Sequence, residues 1–119
     1  MNNKILLVKK FWQFLNDAEF DNFSLVMQKN AKVILANTNE SFKSCLDYIE
    51  FNKNYPGRWF ASLENLVNTD NQVVTIYKVY SEQETHFVTS VFEFSDNLIS
   101  KITEYWGEIG EPPEWRKID

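Results

Sequence analysis

Histidine and cysteine are almost missing from this chain, and glycine and proline are scarce. Its 119 residues include one His, one Cys, three Gly and three Pro. A single cysteine, Cys45, excludes an intrachain disulfide and suits a reducing compartment, so a cytoplasmic location is expected. One His and one Cys cannot supply the clustered ligands of a zinc site, and carboxylates alone at these spacings are a weak substitute. No metal and no other cofactor is therefore expected. With only Gly57, Gly107 and Gly110, the chain has no glycine-rich phosphate loop.

Positive charge is also in deficit. There are 12 Lys and Arg against 17 Asp and Glu, a formal net charge of −5. A nucleic-acid binder needs a basic stripe, so nucleic acid is excluded as a partner, as is an anionic membrane surface. Long apolar runs are absent. Ile5-Leu6-Leu7-Val8 is followed by two lysines, too short for a signal-peptide core. No segment approaches the roughly 20 apolar residues of a membrane span.

What the chain has in excess is aromatic residues: ten Phe, five Tyr and four Trp, or 16%. Such bulk implies either a core with large walls or a cavity lined by rings. The length and the 44% hydrophobic content fit one globular domain over residues 1–119, with a single core.

The first half reads as helical. Val8, Phe11, Trp12 and Leu15 recur at helical spacing in Lys4–Asn16. Asn16-Asp17 offers a cap for a second short helix carrying Phe20, Phe23 and Met27. Lys32–Ala36 is a short strand, and Asn37-Thr38-Asn39-Glu40 a polar turn. Ser41 is placed to cap a third helix with Phe42, Cys45, Leu46 and Ile49 on one face. Tyr55-Pro56-Gly57 ends it.

The second half reads as four strands: Trp59–Asn68, Gln72–Tyr80, Thr85–Phe94 and Leu98–Trp106. Short polar connections between them favour antiparallel hairpins. Three helices followed by a meander predict an α+β fold whose helices cover one sheet face. After the last strand come two glycines, two prolines and Trp115, read as a return loop that packs Trp115 back on the body.

Three motifs in this order resemble the SnoaL-like branch of the nuclear transport factor 2-like superfamily, over about Val8 to Arg116. Asn37-Thr38-Asn39-Glu40 is similar to that branch's Asn-Thr-Gly-Glu loop, with Asn at a left-handed position where Asn is tolerated next best after Gly. Asn52-Lys53-Asn54-Tyr55-Pro56-Gly57-Arg58-Trp59 resembles its Asn-x-x-Tyr-Pro-Gly-x-Trp. Glu104-Tyr105-Trp106 followed by Gly110-Glu111-Pro112-Pro113-Glu114-Trp115-Arg116 is close to its terminal signature. The resemblance implies a cone-shaped, cystatin-like α+β sheet and a homodimer formed through it. It does not imply one chemistry, because relatives include isomerases, cyclases, dehydratases and binding or assembly modules.

Two residues are candidates for proton chemistry. His86 shares a strand face with Val88, Ser90, Phe92 and Phe94, as a general acid or base or as a strand-end group near solvent or a dimer contact. Glu104 shares a face with Leu98, Ser100, Ile102 and Trp106. There it is either a desolvated proton shuttle or an outward surface carboxylate. If both face one cavity, adjacent strands bring them together as an acid–base pair. Trp12, Tyr55, Trp59, Trp106 and Trp115 are candidates to wall a pocket for an apolar or aromatic ligand. The Tyr55 hydroxyl is a candidate to polarise a ligand carbonyl. Core packing is the competing account of each ring. Asn37 and Glu40 read as structural, bonding free backbone groups. The function expected is a small-molecule pocket protein, with or without cofactor-free isomerase, cyclase or dehydratase activity. The alternative is a non-catalytic dimeric module whose own rings fill the cone.

Overall fold

A computed structural model describes residues 3–117. The chain begins with helix α1 (Asn3–Asn16), which buries Val8, Phe11, Trp12 and Leu15, the face set by their spacing. The helix ends where Ala18 turns left-handed at φ 56. The Glu19 amide then donates to the Phe14 carbonyl at 2.8 Å, and Ala18 to Leu15 at 3.1 Å. This pair of bonds is the Schellman closure, which usually selects Gly at the left-handed position. Asn16 does not cap a second helix. Its Oδ1 accepts from the Ala61 amide at 2.9 Å, while its carbonyl accepts from Arg58 at 2.8 Å. The next segment, Phe20–Leu25, is a 3-10 helix without a side-chain cap, and it turns Phe23 into the core.

Strand β1 (Met27–Leu35) starts five residues earlier than the sequence pattern indicates. Met27 belongs to this strand rather than to the preceding helix. The register between Met27 and Lys32 is irregular, which breaks the period-two alternation a strand normally displays. Asn39, at φ 57, occupies the left-handed turn position expected for it. Strand β2 (Glu40–Phe42) follows, with Ser41 paired to Ile34. Ser41 is thus a strand residue, and the cap of helix α2 (Cys45–Asn54) is Ser44, whose Oγ accepts from the Asp47 amide at 3.1 Å. The third helix exists as expected but begins later. It stops before Tyr55-Pro56-Gly57, where Gly57 adopts φ 89.

Strands β3 (Phe60–Asn68), β4 (Gln72–Tyr80), β5 (Thr85–Ser95) and β6 (Leu98–Glu108) form an antiparallel meander. The β5–β6 hairpin turns on Asp96 and Asn97, both at positive φ, the geometry that matches strand twist. Six strands make one sheet in the order β2-β1-β6-β5-β4-β3. Only β1 runs parallel to its neighbour β6, so the sheet is mixed. The helices pack on one face, giving the expected α+β arrangement. The inner face carries Val73, Thr75, Tyr77 and Val79 of β4 and Val88, Ser90 and Phe92 of β5. The core joins these to Phe11, Trp12, Phe23 and Tyr48. Among the described residues, no helix is long and apolar enough to cross a membrane.

Candidate functional site

Glu104 lies on the inner face, in the middle of β6, and is only 1% exposed. Its companions differ from those expected. A bulge pairs Glu93 with Lys101 but Phe94 with Ile99, leaving Ser100 over. That extra residue flips the alternation, so Ile99 joins Ile102 and Glu104 on the inner face in place of Leu98 and Ser100. Beyond the bulge, Trp106 stays on the Glu104 side, as the alternation predicts.

Two neutral donors hold the carboxyl. Tyr48 Oη of α2 donates to Oε2 at 3.3 Å, and Trp106 Nε1 donates to Oε1 at 3.3 Å. Burial is the dominant influence on the carboxyl and raises its pKa to about 7, while these two hydrogen bonds pull it back down. The same burial, reinforced by the neighbouring carboxylate, holds the Tyr48 phenol well above its ordinary range. Burial thus keeps a proton on Glu104 to far higher pH than on an ordinary carboxyl, and Tyr48 stays a neutral phenol.

The site is rigid on both sides. Asn37 clamps the Trp106 backbone: its Nδ2 donates to the carbonyl and its Oδ1 accepts from the amide, each at 2.7 Å. The side chain thereby extends the sheet edge past the end of β1, a structural role as expected. Glu40 accepts from Thr38 within the same loop. Tyr48 is fixed by rings, with Phe23 at 5.7 Å and Phe42 at 5.6 Å between centroids.

His86 is on the same sheet face as Glu104, but the two do not form a pair. Ser90 stands opposite Glu104, whereas His86 stands opposite Glu108. Four strand positions separate them, roughly 13 Å along β5. The Nε2 of His86 contacts Glu84 at 3.0 Å instead. Its ring lies 6.0 Å from both Trp59 and Trp106, so the histidine joins a ring cluster at the far end of the sheet. Trp106 touches both groups and is the physical link between them.

The other predicted rings divide. Tyr55 and Trp59 belong to the same rim as His86. Tyr55 packs edge-on to Trp59 at 6.0 Å and is 50% exposed, and Trp59 Nε1 donates to the Pro56 carbonyl. Tyr55 does not reach Glu104; the hydroxyl that does is that of Tyr48, a residue the sequence pattern does not single out. Trp12 is core: it stacks on Tyr77 at 4.2 Å and donates to Thr75 Oγ1 at 3.2 Å. Trp115 does not pack back. It is 83% exposed in a short 3-10 turn (Glu114–Arg116) that follows an extended Pro113, with the Arg116 guanidinium 5.6 Å from its ring.

Two cavities open at the opposite, hairpin end of the sheet. One, of about 600 Å³, lies between Lys4 and the Thr69–Gln72 turn. The other, of about 290 Å³, lies between Leu7 and the Ser95–Asn97 turn. Neither is lined by Glu104 or by the rim rings. Among the described residues, no cluster of three or more His, Cys, Asp or Glu is placed to hold a metal ion.

Solved structures similar to this chain cover nearly all of it. A provisionally assigned ketosteroid isomerase from Kribbella flavida has a TM-score of 0.88 and 24% identity, over 99% of this chain and 90% of its own. A nuclear transport factor 2-like protein of unknown function from Burkholderia xenovorans has a TM-score of 0.86 and 17% identity, over 97% of this chain and 91% of its own. The chain has the nuclear transport factor 2-like fold. A provisionally assigned SnoaL-like polyketide cyclase from Jannaschia shares that fold, with a TM-score of 0.75 and 14% identity over 88% and 85% of the two chains. No family model matches the sequence, and comparison with curated proteins gives no match. At these identities the likeness establishes the fold, and the chemistry must be argued from Glu104 and its surroundings.

Proposed function

We propose that residues 1–119 form a single small-molecule pocket domain that moves a proton on an apolar, carbonyl-bearing ligand without a cofactor. The observation that carries this reading is Glu104. It is a carboxyl buried among rings, held only by neutral donors, with a pKa near 7. A carboxyl whose pKa is raised toward neutrality can both take and return a proton, which an isomerisation, cyclisation or dehydration requires. Burying a carboxyl without a cationic partner is unfavourable, so a purely structural role is better filled by an apolar residue. In this reading Glu104 takes the proton from the carbon next to the ligand carbonyl and returns it elsewhere on the ligand. Tyr48 and Trp106 position the carboxyl. His86, Tyr55 and Trp59 form the rim, and they move aside for the ligand to reach Glu104.

The test uses a panel of cyclic enones and aryl ketones, with binding followed by tryptophan fluorescence and isomerisation by absorbance. Glu104→Gln is expected to retain binding within a few-fold and lose turnover. His86→Ala is expected to weaken binding and retain turnover. Unchanged binding and turnover in both variants would remove the assignment.

A second reading has its own support. Phe11 and Phe23 stack at 4.7 Å, and Tyr48 continues the stack, so rings fill the space beneath Glu104. On that reading the protein is a non-catalytic module. Its outer sheet face, which exposes Phe60, Tyr80, Phe87 and Tyr105, then serves assembly. A homodimer through this face is compatible with either reading, as is a cytoplasmic location for a chain with one buried thiol.

A further inference from the structure

Three polar side chains cross the inner face in a single row. Thr75 of β4 stands opposite Ser90 of β5, and Ser90 stands opposite Glu104 of β6. All three are buried, at 1%, 0% and 1% exposure. A polar row through an apolar core is unfavourable unless every member is hydrogen-bonded. The two ends are served: Thr75 accepts from Trp12, and Glu104 accepts from Tyr48 and Trp106. The middle is not. Ser90 Oγ is the one buried side-chain polar atom, among the described residues, without a hydrogen-bond partner in the protein.

The row's order suggests the partner. Ser90 Oγ is without a bond although Thr75 and Glu104 stand on either side of it. A buried hydroxyl of this kind is commonly served by a water, which can bond both it and the neighbouring carboxyl at about 2.8 Å. The chemistry of Glu104 points the same way. When the carboxyl is protonated its O–H needs an acceptor: the Trp106 indole can only donate, and the Tyr48 hydroxyl accepts only by turning its own proton away, so a water beside Ser90 supplies one. Tyr48, from α2, is the titratable group bonded to it; Leu35 of β1 and Ser90 of β5 face it without charge, and His86 lies beyond Trp106.

We infer that Ser90 and Glu104 hold a buried water between them, and that this water orients the carboxyl that takes the ligand's proton and returns it. Ser90 is then a positioning residue: it acts on the ligand only by keeping the water on the carboxyl. This second part rests on the reading of Glu104 as the proton carrier; the water site itself does not.

The test compares the full chain with Ser90→Ala in two ways that need no ligand. A crystal structure at about 1.2 Å resolution should show a water within hydrogen-bonding distance of Ser90 Oγ and the Glu104 carboxyl, absent from the variant. Thermal unfolding at pH 5, where Glu104 is protonated in both proteins, should show the variant about 3 °C less stable, the usual effect of losing one such bond in a domain of this size. A dry Ser90 bonded directly to Glu104 or to backbone would overturn the inference. So would a rise in melting temperature, which is what removal of an unpaired hydroxyl produces. If the water is present and Glu104→Gln leaves turnover unchanged, the water site stands and the proton-transfer reading falls.

Discussion

Tyr48 on α2 donates its hydroxyl proton to Glu104 on β6 across 56 positions of sequence. The bond joins the helical layer to the sheet at the most deeply buried carboxyl of the described chain. It also opposes the effect of burial on that carboxyl's titration, because a donor to a carboxylate favours the charged form. Replacing Tyr48 by Phe removes that donor and keeps the ring. The Glu104 midpoint is expected to rise above its native value near 7. A carboxyl-carbon NMR titration of Tyr48→Phe checks this, and a fall would contradict it.

Stability should depend on pH through the same group. Its folded pKa lies near 7 and its ordinary value is 4.5, so the folded state holds the proton over a window in which the unfolded chain releases it. The stability it contributes is complete below pH 4.5 and is lost as pH rises through 7, a change on the order of 3 kcal/mol. Glu104→Gln abolishes that loss. The variant should match the wild type within about 1 kcal/mol at pH 4.5 and exceed it by about 2–3 kcal/mol at pH 8. Urea unfolding at the two pH values measures the difference, and a variant less stable at pH 8 would refute the assignment.

The clamp between Asn37 and Trp106 gives a prediction independent of titration. Two 2.7 Å bonds tie the loop after β1 to the β6 backbone next to Glu104. Asn37→Ala should cost about 1–2 kcal/mol, since the clamp is solvent-exposed and water replaces part of it. Faster hydrogen exchange at the Trp106 amide should accompany the loss.

Ala18 offers a stabilising change. It closes α1 at φ 56, where its Cβ is strained and Gly is not. Ala18→Gly should raise stability by about 0.5–1 kcal/mol, the left-handed penalty less the extra entropy of glycine. Urea unfolding measures it; a decrease would mean the Schellman closure is not what ends the helix.

Much of this fold was legible because periodicity survives wherever one face is buried. The α1 face and strands β4 and β5 show this, whereas β3, exposed along most of its length, is legible from its residue types and flanking turns. Errors arose where a local feature breaks the period. The irregular register of β1 hid its first residues, and the bulge at Ser100 exchanged Leu98 for Ile99. Ser41 and Ser44 are equivalent as caps in sequence, and only the pairing of β2 separates them. Trp115 was overread, since a tryptophan after a breaker is no evidence of what lies above it. In the candidate site, alternation puts Glu104 and Trp106 on one strand face but leaves open whether that face is the inner one. Tyr48 was not, although it lies one turn after Cys45 on the buried face of α2; that spacing was the available signal. Alternation leaves open whether His86 and Glu104 share a face; the register shows that they do, with Glu104 opposite Ser90 and His86 four positions away.

Whether Glu104 can move a proton depends on one quantity: the protonation midpoint of its carboxyl in the folded protein. Carbon-13 NMR of selectively labelled glutamate, with the resonance assigned by its loss in Glu104→Gln, measures it directly. A midpoint near 7 is the predicted result. A midpoint near 4.5, with the other glutamates, would mean that the carboxyl is not desolvated by this ring-lined core and is not poised to move a proton.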